Sequence, residues 1–241
     1  MTVERHPHVE EMTGLAGLRT KRLMDIVISA LGILVLLPVF AVVALAIRIE
    51  GGGPVFYRQF RVGRSGRLFR IEKFRSMRPS KGGTNLTIAG DVRVTRVGAV
   101  LRRTKIDELP QLLNVLYGDM SLVGPRPETP DLMVHYTPSQ RALMESIQPG
   151  MTDYASVLLR DESALLATAP DPGAFYRERL MPLKCELCAR YVREIGLRTD
   201  LRLILATVWG VFLPSSRNPF LDPVASGLLK SWLEATLDHV A

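Results

Sequence analysis

From Ile26 to Ile47 no position is charged. As a helix rising 1.5 Å per residue, this run reaches about 33 Å, close to the ~30 Å hydrocarbon layer of a bilayer. It is too long and starts too late for a cleavable signal peptide, and no small-residue cleavage site follows it. Pro38 falls in its middle, removes a backbone donor and crowds the preceding turn, so a kink near Leu37 is expected. Residues 1–20 are polar and poorly patterned and read as a flexible tail or a short surface helix.

Gly51-Gly52-Gly53-Pro54 punctuates the exit from the apolar run. Val55–Gln59 and Leu68–Phe74 then read as short strands around a Gly63–Gly66 turn, a hairpin. Residues 78–90, with Pro79, Gly82, Gly83, Asn85 and Gly90, read as a loop, and 92–103 suits a short helix. The next helix is predicted from Glu108 to Tyr117, with Asp107 at its N-cap, Pro110 in its first turn and Gly118 as a left-handed stop. Helical spacing returns over 138–147 and 174–195. Thr199-Asp200 can cap an apolar helix through Phe212, and 226–240 is an amphipathic stretch. The expected fold class is α+β, mostly helical with a short β-hairpin. Its segments are a membrane helix over 21–50 kinked at Pro38, a cytosolic domain over 51–213 and a C-terminal amphipathic extension over 214–241.

Charge narrows the partners. The 241 residues carry 31 Lys plus Arg against 24 Asp plus Glu, a net +7 that favours phosphate, membrane or nucleic acid. At 47% hydrophobic and 23% charged, the chain is not disordered. Arg19, Lys21 and Arg22 precede the apolar run, and a basic series from Arg48 and Arg58 to Arg78 and Lys81 follows it. Positive charge marks the cytoplasmic side, and here both flanks carry it. Two topologies fit: a helix that enters, breaks at Pro38 and returns to the same face, or a kinked span. The basic run lies directly after the anchor, so anionic lipid is its expected partner; no nucleic-acid recognition motif supports the alternative. Cys185 and Cys188 are too few for a disulfide scaffold and, as one unaccompanied CxxC, read as filler. His6, His8, His135 and His239 form no spaced metal set. Trp209, Phe212, Phe220 and Trp232 suit a membrane interface or a core, the interface being favoured.

Asp107-Glu108 by itself can be a cap plus a dipole-favoured acid. Its neighbours add a second reading. Arg102, Arg103 and Lys105 lie just before it, and Gly124-Pro125-Arg126-Pro127-Glu128 follows as a rigid turn presenting a guanidinium. Two carboxylates among fixed cations offer what a Mg²⁺-diphosphate site needs, and an Asp can itself attack phosphorus.

In order and spacing, these segments resemble the bacterial sugar transferases, monotopic phosphoglycosyl transferases that move a phosphosugar from a UDP-sugar onto polyprenyl phosphate. The likeness covers Lys21 to Phe212. It runs through Lys21-Arg22-Leu23-Met24-Asp25, Gly53-Pro54-Val55-Phe56, Arg61-Val62-Gly63, Lys73-Phe74-Arg75-Ser76-Met77 and Arg96-Val97-Gly98. It continues through Asp107-Glu108-Leu109-Pro110-Gln111, Asn114-Val115-Leu116, Gly118 to Pro127 and Pro149-Gly150-Met151-Thr152. The resemblance implies a re-entrant helix broken at Pro38, interfacial amphipathic helices and a place on the cytoplasmic face of the bacterial inner membrane. It implies Asp107 as the nucleophile that takes the phosphosugar and releases UMP, and Glu108 as the Mg²⁺ ligand. Lys73, Arg75, Arg102 and Arg126 would contact phosphate or the second substrate.

Three segments depart from the family pattern. Leu37 stands before the proline where Ser is frequent, and Lys105-Ile106 precedes the acidic pair where Ser-Leu is frequent. After Pro149-Gly150, Thr152-Asp153-Tyr154-Ala155-Ser156 and then Arg160-Asp161-Glu162 replace the usual Gly-Trp-Ala-Gln. That last region is expected to shape the sugar or uridine pocket, with Arg160 among the substrate contacts. The partners implied are a UDP-sugar, polyprenyl phosphate and anionic lipid, with a homodimer left open. The alternative function is a catalytically inactive membrane adaptor of glycan assembly, against which Asp107, Glu108 and Arg126 stand intact.

Overall fold

The computed structural model describes residues 9–78, 90–213, 218–221, 226–227 and 229–232, with backbone alone over 9–16. The start of the tail, most of the loop expected over 78–90, His6, His8 and His239, and most of the 214–241 extension lie outside the described residues.

One helix, α1 (Val9–Gly51), dominates the N-terminal part. It begins at Val9, so residues 9–20, expected as a tail, join the apolar run, and it is assigned as one helix through Pro38. Its inner stripe recurs at helical spacing: Leu18, Lys21, Asp25, Ile28, Gly32, Leu36, Phe40, Val43 and Ile47 face the rest of the protein. The other faces present Leu23, Val27, Leu31, Val35, Val42, Leu45 and Ile49 outward. Only 11% of its most apolar stretch is buried, which separates it from the core helix of a soluble domain. Before Pro38 it packs on the main core; after Pro38 it packs on a second cluster of Val43, Ile47, Phe74 and Leu101.

The hairpin pairs β1 (Phe56–Val62) with β2 (Leu68–Phe74) in antiparallel register from Phe56↔Phe74 to Val62↔Leu68. The first strand thus runs three residues past the expected Gln59. A bridge of Met77 to Val94 leads to α2 (Arg96–Thr104). A 3₁₀ turn over Ile106–Gln111 then precedes α3 (Leu112–Tyr117), which stops at Gly118 with φ 85°, as expected. Asn114, buried in α3, ties it to the edge of β2: its Oδ1 accepts from Glu72 N at 2.9 Å and its Nδ2 donates to Arg70 O at 2.7 Å.

A second sheet was not legible in the sequence. β3 (Ser121–Val123) runs parallel to β4 (Gly150–Thr152), with α4 (Pro130–Met133) and α5 (Pro138–Met144) in the crossover. Then come α6 (Tyr154–Leu158), α7 (Glu162–Ala167), α8 (Pro172–Phe175), a π turn over Tyr176–Leu180, α9 (Met181–Glu194) and α10 (Leu197–Phe212). The main core joins β2, α3, β3 and α9 through residues such as Ile71, Val115, Val123 and Leu187.

Asp200 is not the expected cap of α10. It lies one turn in, fully buried: Lys21 Nζ donates to its Oδ2 at 2.6 Å and Tyr191 OH to its Oδ1 at 2.6 Å. Lys21 also donates to Val123 O (2.9 Å), and Asp25 Oδ1 accepts from Leu122 N (3.1 Å), so the start of the anchor grips β3. Cys185 and Cys188 are buried core residues with free thiols. Of the aromatic residues assigned to an interface, Phe212 is exposed, whereas Trp209 packs edge-on to Phe220 and Trp232 to Phe175.

Candidate active site

Asp107 and Glu108 owe their place to a reversal in the chain. Thr95 Oγ1 accepts from Gly98 N at 2.9 Å and starts α2; Lys105, in the left-handed conformation with φ 59°, ends it. The chain then tightens into the 3₁₀ turn, which tolerates Pro110. Asp107 is therefore inside this turn, and the expectation that it caps α3 is corrected. Burial brings Asp107 to 5% exposure.

Two cations converge on Glu108. Lys73, near the end of β2, donates from Nζ to Glu108 Oε1 at 2.8 Å. Arg126 grips the carboxylate with both terminal nitrogens, Nη1 on Oε2 at 3.1 Å and Nη2 on Oε1. Arg126 is held out by the Pro125-Arg126-Pro127 turn, which the second sheet anchors. Gly150 N donates to Pro125 O (2.9 Å) and Gly124 N to Thr152 O (3.0 Å). A Cβ on Gly150 would stand 2.1 Å from Gly124 N, so this approach requires glycine. Glu128, just beyond, is buried and accepts from Tyr176 OH at 2.6 Å and Tyr136 OH at 3.2 Å.

The charges divide the two carboxyls. Burial would raise Glu108, but Arg126 and Lys73 overcome it and hold the group well below the ordinary carboxylate range. Asp107 moves the other way: burial and then the Glu108 charge raise it, against the opposing pull of Lys73, Arg102 and Lys105. Asp107 Oδ1 is buried with no hydrogen-bond partner. One carboxylate is clamped, and its neighbour keeps an oxygen free.

Of the residues expected to bind substrate, Lys73 and Arg126 meet at Glu108, and Arg102 bears on Asp107. Arg75 does not join them: its guanidinium donates to Ile47 O at 3.4 Å and to Gly52 O, closing the C-terminal end of α1. Arg160 packs beside α10, where a Cβ on Gly210 would lie 3.5 Å from its Nη1. Glu162 and Asp153, from the segment around it, add to the field by which Glu108 raises Arg126. Arg61 was read only as part of a motif. The alternation Tyr57, Gln59, Arg61 along β1, paired through Tyr57↔Lys73, puts it on the same hairpin face as Lys73.

Among the described residues no group of three or more His, Cys, Asp or Glu is arranged to hold a metal alone. Mg²⁺ is commonly held by one or two carboxylates together with substrate phosphates and water. Glu108 Oε2 accepts one hydrogen bond and keeps acceptor capacity, so this carboxylate fits that mode.

The sequence profile of the bacterial sugar transferase family matches residues 16–214. A UDP-glucose:undecaprenyl-phosphate glucose-1-phosphate transferase of Escherichia coli (strain K12) is 35% identical over 229 residues, 86% of this chain and 46% of that protein. A protein of the same name from Caulobacter vibrioides is 39% identical over 78% of this chain and 68% of its own length. An exopolysaccharide production protein of Rhizobium leguminosarum bv. phaseoli is 41% identical over 78% of this chain and 92% of its length. The chain thus spans about half the length of the E. coli relative and nearly all of the Rhizobium one.

Proposed function

The chain belongs to the bacterial sugar transferase family, and from that premise we propose that it transfers a phosphosugar from a UDP-sugar to polyprenyl phosphate, the first membrane step of a glycan assembly. The observation that carries the reading is the unpartnered, buried Asp107 Oδ1 beside a Glu108 clamped by Lys73 and Arg126. A carboxylate oxygen that neither water nor a donor stabilises is a stronger nucleophile than a solvated one.

In the first step an Asp107 oxygen bonds to the sugar-bearing phosphorus, and the bond to UMP breaks with its electron pair leaving on UMP. In the second, a phosphate oxygen of the lipid attacks the same phosphorus, releasing polyprenyl-diphosphate-sugar and free Asp107. Lys73 keeps ammonium donors beyond the one on Glu108, and Arg102 adds charge beside Asp107, so both can meet phosphoryl oxygens. Glu108 would hold Mg²⁺. When bound, the ion neutralises charge on the diphosphate.

The membrane reading rests on α1. Lys21 and Asp25, just before its uncharged run, hold β3, while Glu50 at its end accepts from Arg96 N at 2.7 Å and Val97 N at 3.0 Å. Both flanks of the uncharged run and both halves about Pro38 meet the same domain, which favours a monotopic, re-entrant anchor on the cytoplasmic face over a span. A prenyl phosphate held in the bilayer and a UDP-sugar in water would then meet at one surface.

UMP release from a panel of UDP-sugars, with purified protein and lipid acceptor, tests the proposal. Asp107→Asn and Glu108→Gln each remove nearly all turnover, and donor alone adds the mass of the phosphosugar to Asp107. Full activity in Asp107→Asn overturns the nucleophile.

A further inference from the structure

Arg61 lies near the end of β1, and among the described residues it forms no ion pair. Its Nη1 donates to Pro127 O at 3.1 Å and its Nη2 to Gln59 Oε1 at 2.8 Å, both neutral acceptors. Its Nε is buried without a partner, and among the described residues no carboxylate lies within ion-pair distance of it. Burial, and next the like charge of Arg126, hold the guanidinium below its ordinary value against the opposing pull of Glu128 and Glu108. Neutral carbonyls do not compensate a partly buried cation.

The backbone holds this arrangement on purpose-built contacts. Val62 N donates to Glu128 O at 2.9 Å, so the strand end that carries Arg61 is fastened beside the Pro125–Pro127 turn that carries Arg126. Holding Pro127 O takes only a neutral donor. Two guanidinium groups on a strand end and the turn fastened to it, with Glu108, already shared with Lys73, their one ion-paired carboxylate among the described residues, make instead the donor array that a phosphate or diphosphate fits.

We propose that Arg61 binds phosphoryl oxygens in this site, forming with Arg126 a guanidinium pair for a phosphate or diphosphate anion. The identity of that anion rests on the function proposed above, where two sources share the chemistry: the diphosphate of the donor and the phosphate of the lipid acceptor.

Titration of the purified full chain with inorganic pyrophosphate, by calorimetry at fixed ionic strength, tests the site without turnover. Arg61→Gln raises the dissociation constant about 10- to 100-fold, as expected for a lost charged hydrogen bond. Arg61→Lys, which keeps a charge but loses the fork, falls between. If Arg61→Gln melts below the assay temperature, the Lys variant decides. No pyrophosphate binding by the wild type, or affinities within twofold across the variants, overturns the proposal. Steady-state kinetics then separates the sources. A higher KM for UDP-sugar assigns the donor and a higher KM for polyprenyl phosphate the acceptor. A fall in kcat with both KM values unchanged overturns substrate contact and leaves Arg61 a support for Pro127. If no UDP-sugar releases UMP, the proposed function fails while the pyrophosphate titration still decides the site.

Discussion

Single residues carry constraints that composition hides. At Gly98 a Cβ would sit 1.9 Å from Ser76 O, and at Gly150 2.1 Å from Gly124 N, both against backbone that cannot swing aside. Gly150→Ala therefore destabilises the protein by about 3 kcal/mol, read as an early melting transition with loss of UMP release; an unchanged melting curve contradicts the packing. Cys185 and Cys188 behave as core atoms. Burial, with Glu128 nearby, pushes the Cys185 thiol up to about 11, and burial pushes Cys188 higher still. The thiolate is the reactive form, so at pH 8 the native protein resists thiol reagents and the denatured protein reacts at both cysteines. Labelling of the native protein at the rate of a free thiol refutes this. Residue chemistry also marked out Asp107, Glu108 and Arg126, because paired carboxylates among cations show in the choice of side chain, whereas Lys73 entered only through the family resemblance. Arg75 looked the same in the sequence yet serves the carbonyls ending α1, a role set by where the chain returns.

At the level of elements, regular patterns were legible and irregular ones were not. The hairpin, α2, the Gly118 stop and the long helix ending at Phe212 follow from periods of two and 3.6 with punctuating glycines. The three-residue strands β3 and β4 are too short to show a period, and their pairing joins segments far apart in sequence. The 3₁₀ turn was read as helix because Lys105, a residue not expected at positive φ, makes the reversal. Asp200 looked like a cap because its partner, Lys21, is 179 residues away. That pair is almost fully buried, with side-chain exposures of 10% and 0%. Lys21→Met leaves the Asp200 carboxylate uncompensated and costs about 3–5 kcal/mol, whereas Lys21→Met with Asp200→Leu recovers much of the loss. A double-mutant cycle of melting free energies with no coupling contradicts the linkage. Asn114→Ala removes both bonds between α3 and β2, costs about 1–3 kcal/mol, and lowers turnover through displacement of Lys73.

For the whole molecule, the decisive feature is a helix with membrane-type faces lying along a folded domain instead of leaving it. In cells, single cysteines at Arg19 and Gly51 are both modified by an impermeant maleimide in inside-out vesicles and by neither treatment from the periplasm. Modification of one flank from outside establishes a span. The buried native thiols leave that experiment a clean background. The apolar length and the doubly basic flanks announced a membrane anchor, but its resting place depended on contacts at Lys21, Phe40 and Ile47 that only the fold brings together.

Glu50 belongs to two helices at once: it closes α1 and takes the first backbone N–H groups of α2. Nine residues later that second helix delivers the chain to Lys105 and the turn that holds Asp107. Under the proposed function, lipid thickness becomes an input to turnover, because a bilayer that lifts the end of α1 frays the peptide that positions Asp107. Enzyme reconstituted in nanodiscs of two thicknesses, given the same water-soluble donor, registers this as a change in the rate of UMP release, which Glu50→Gln blunts.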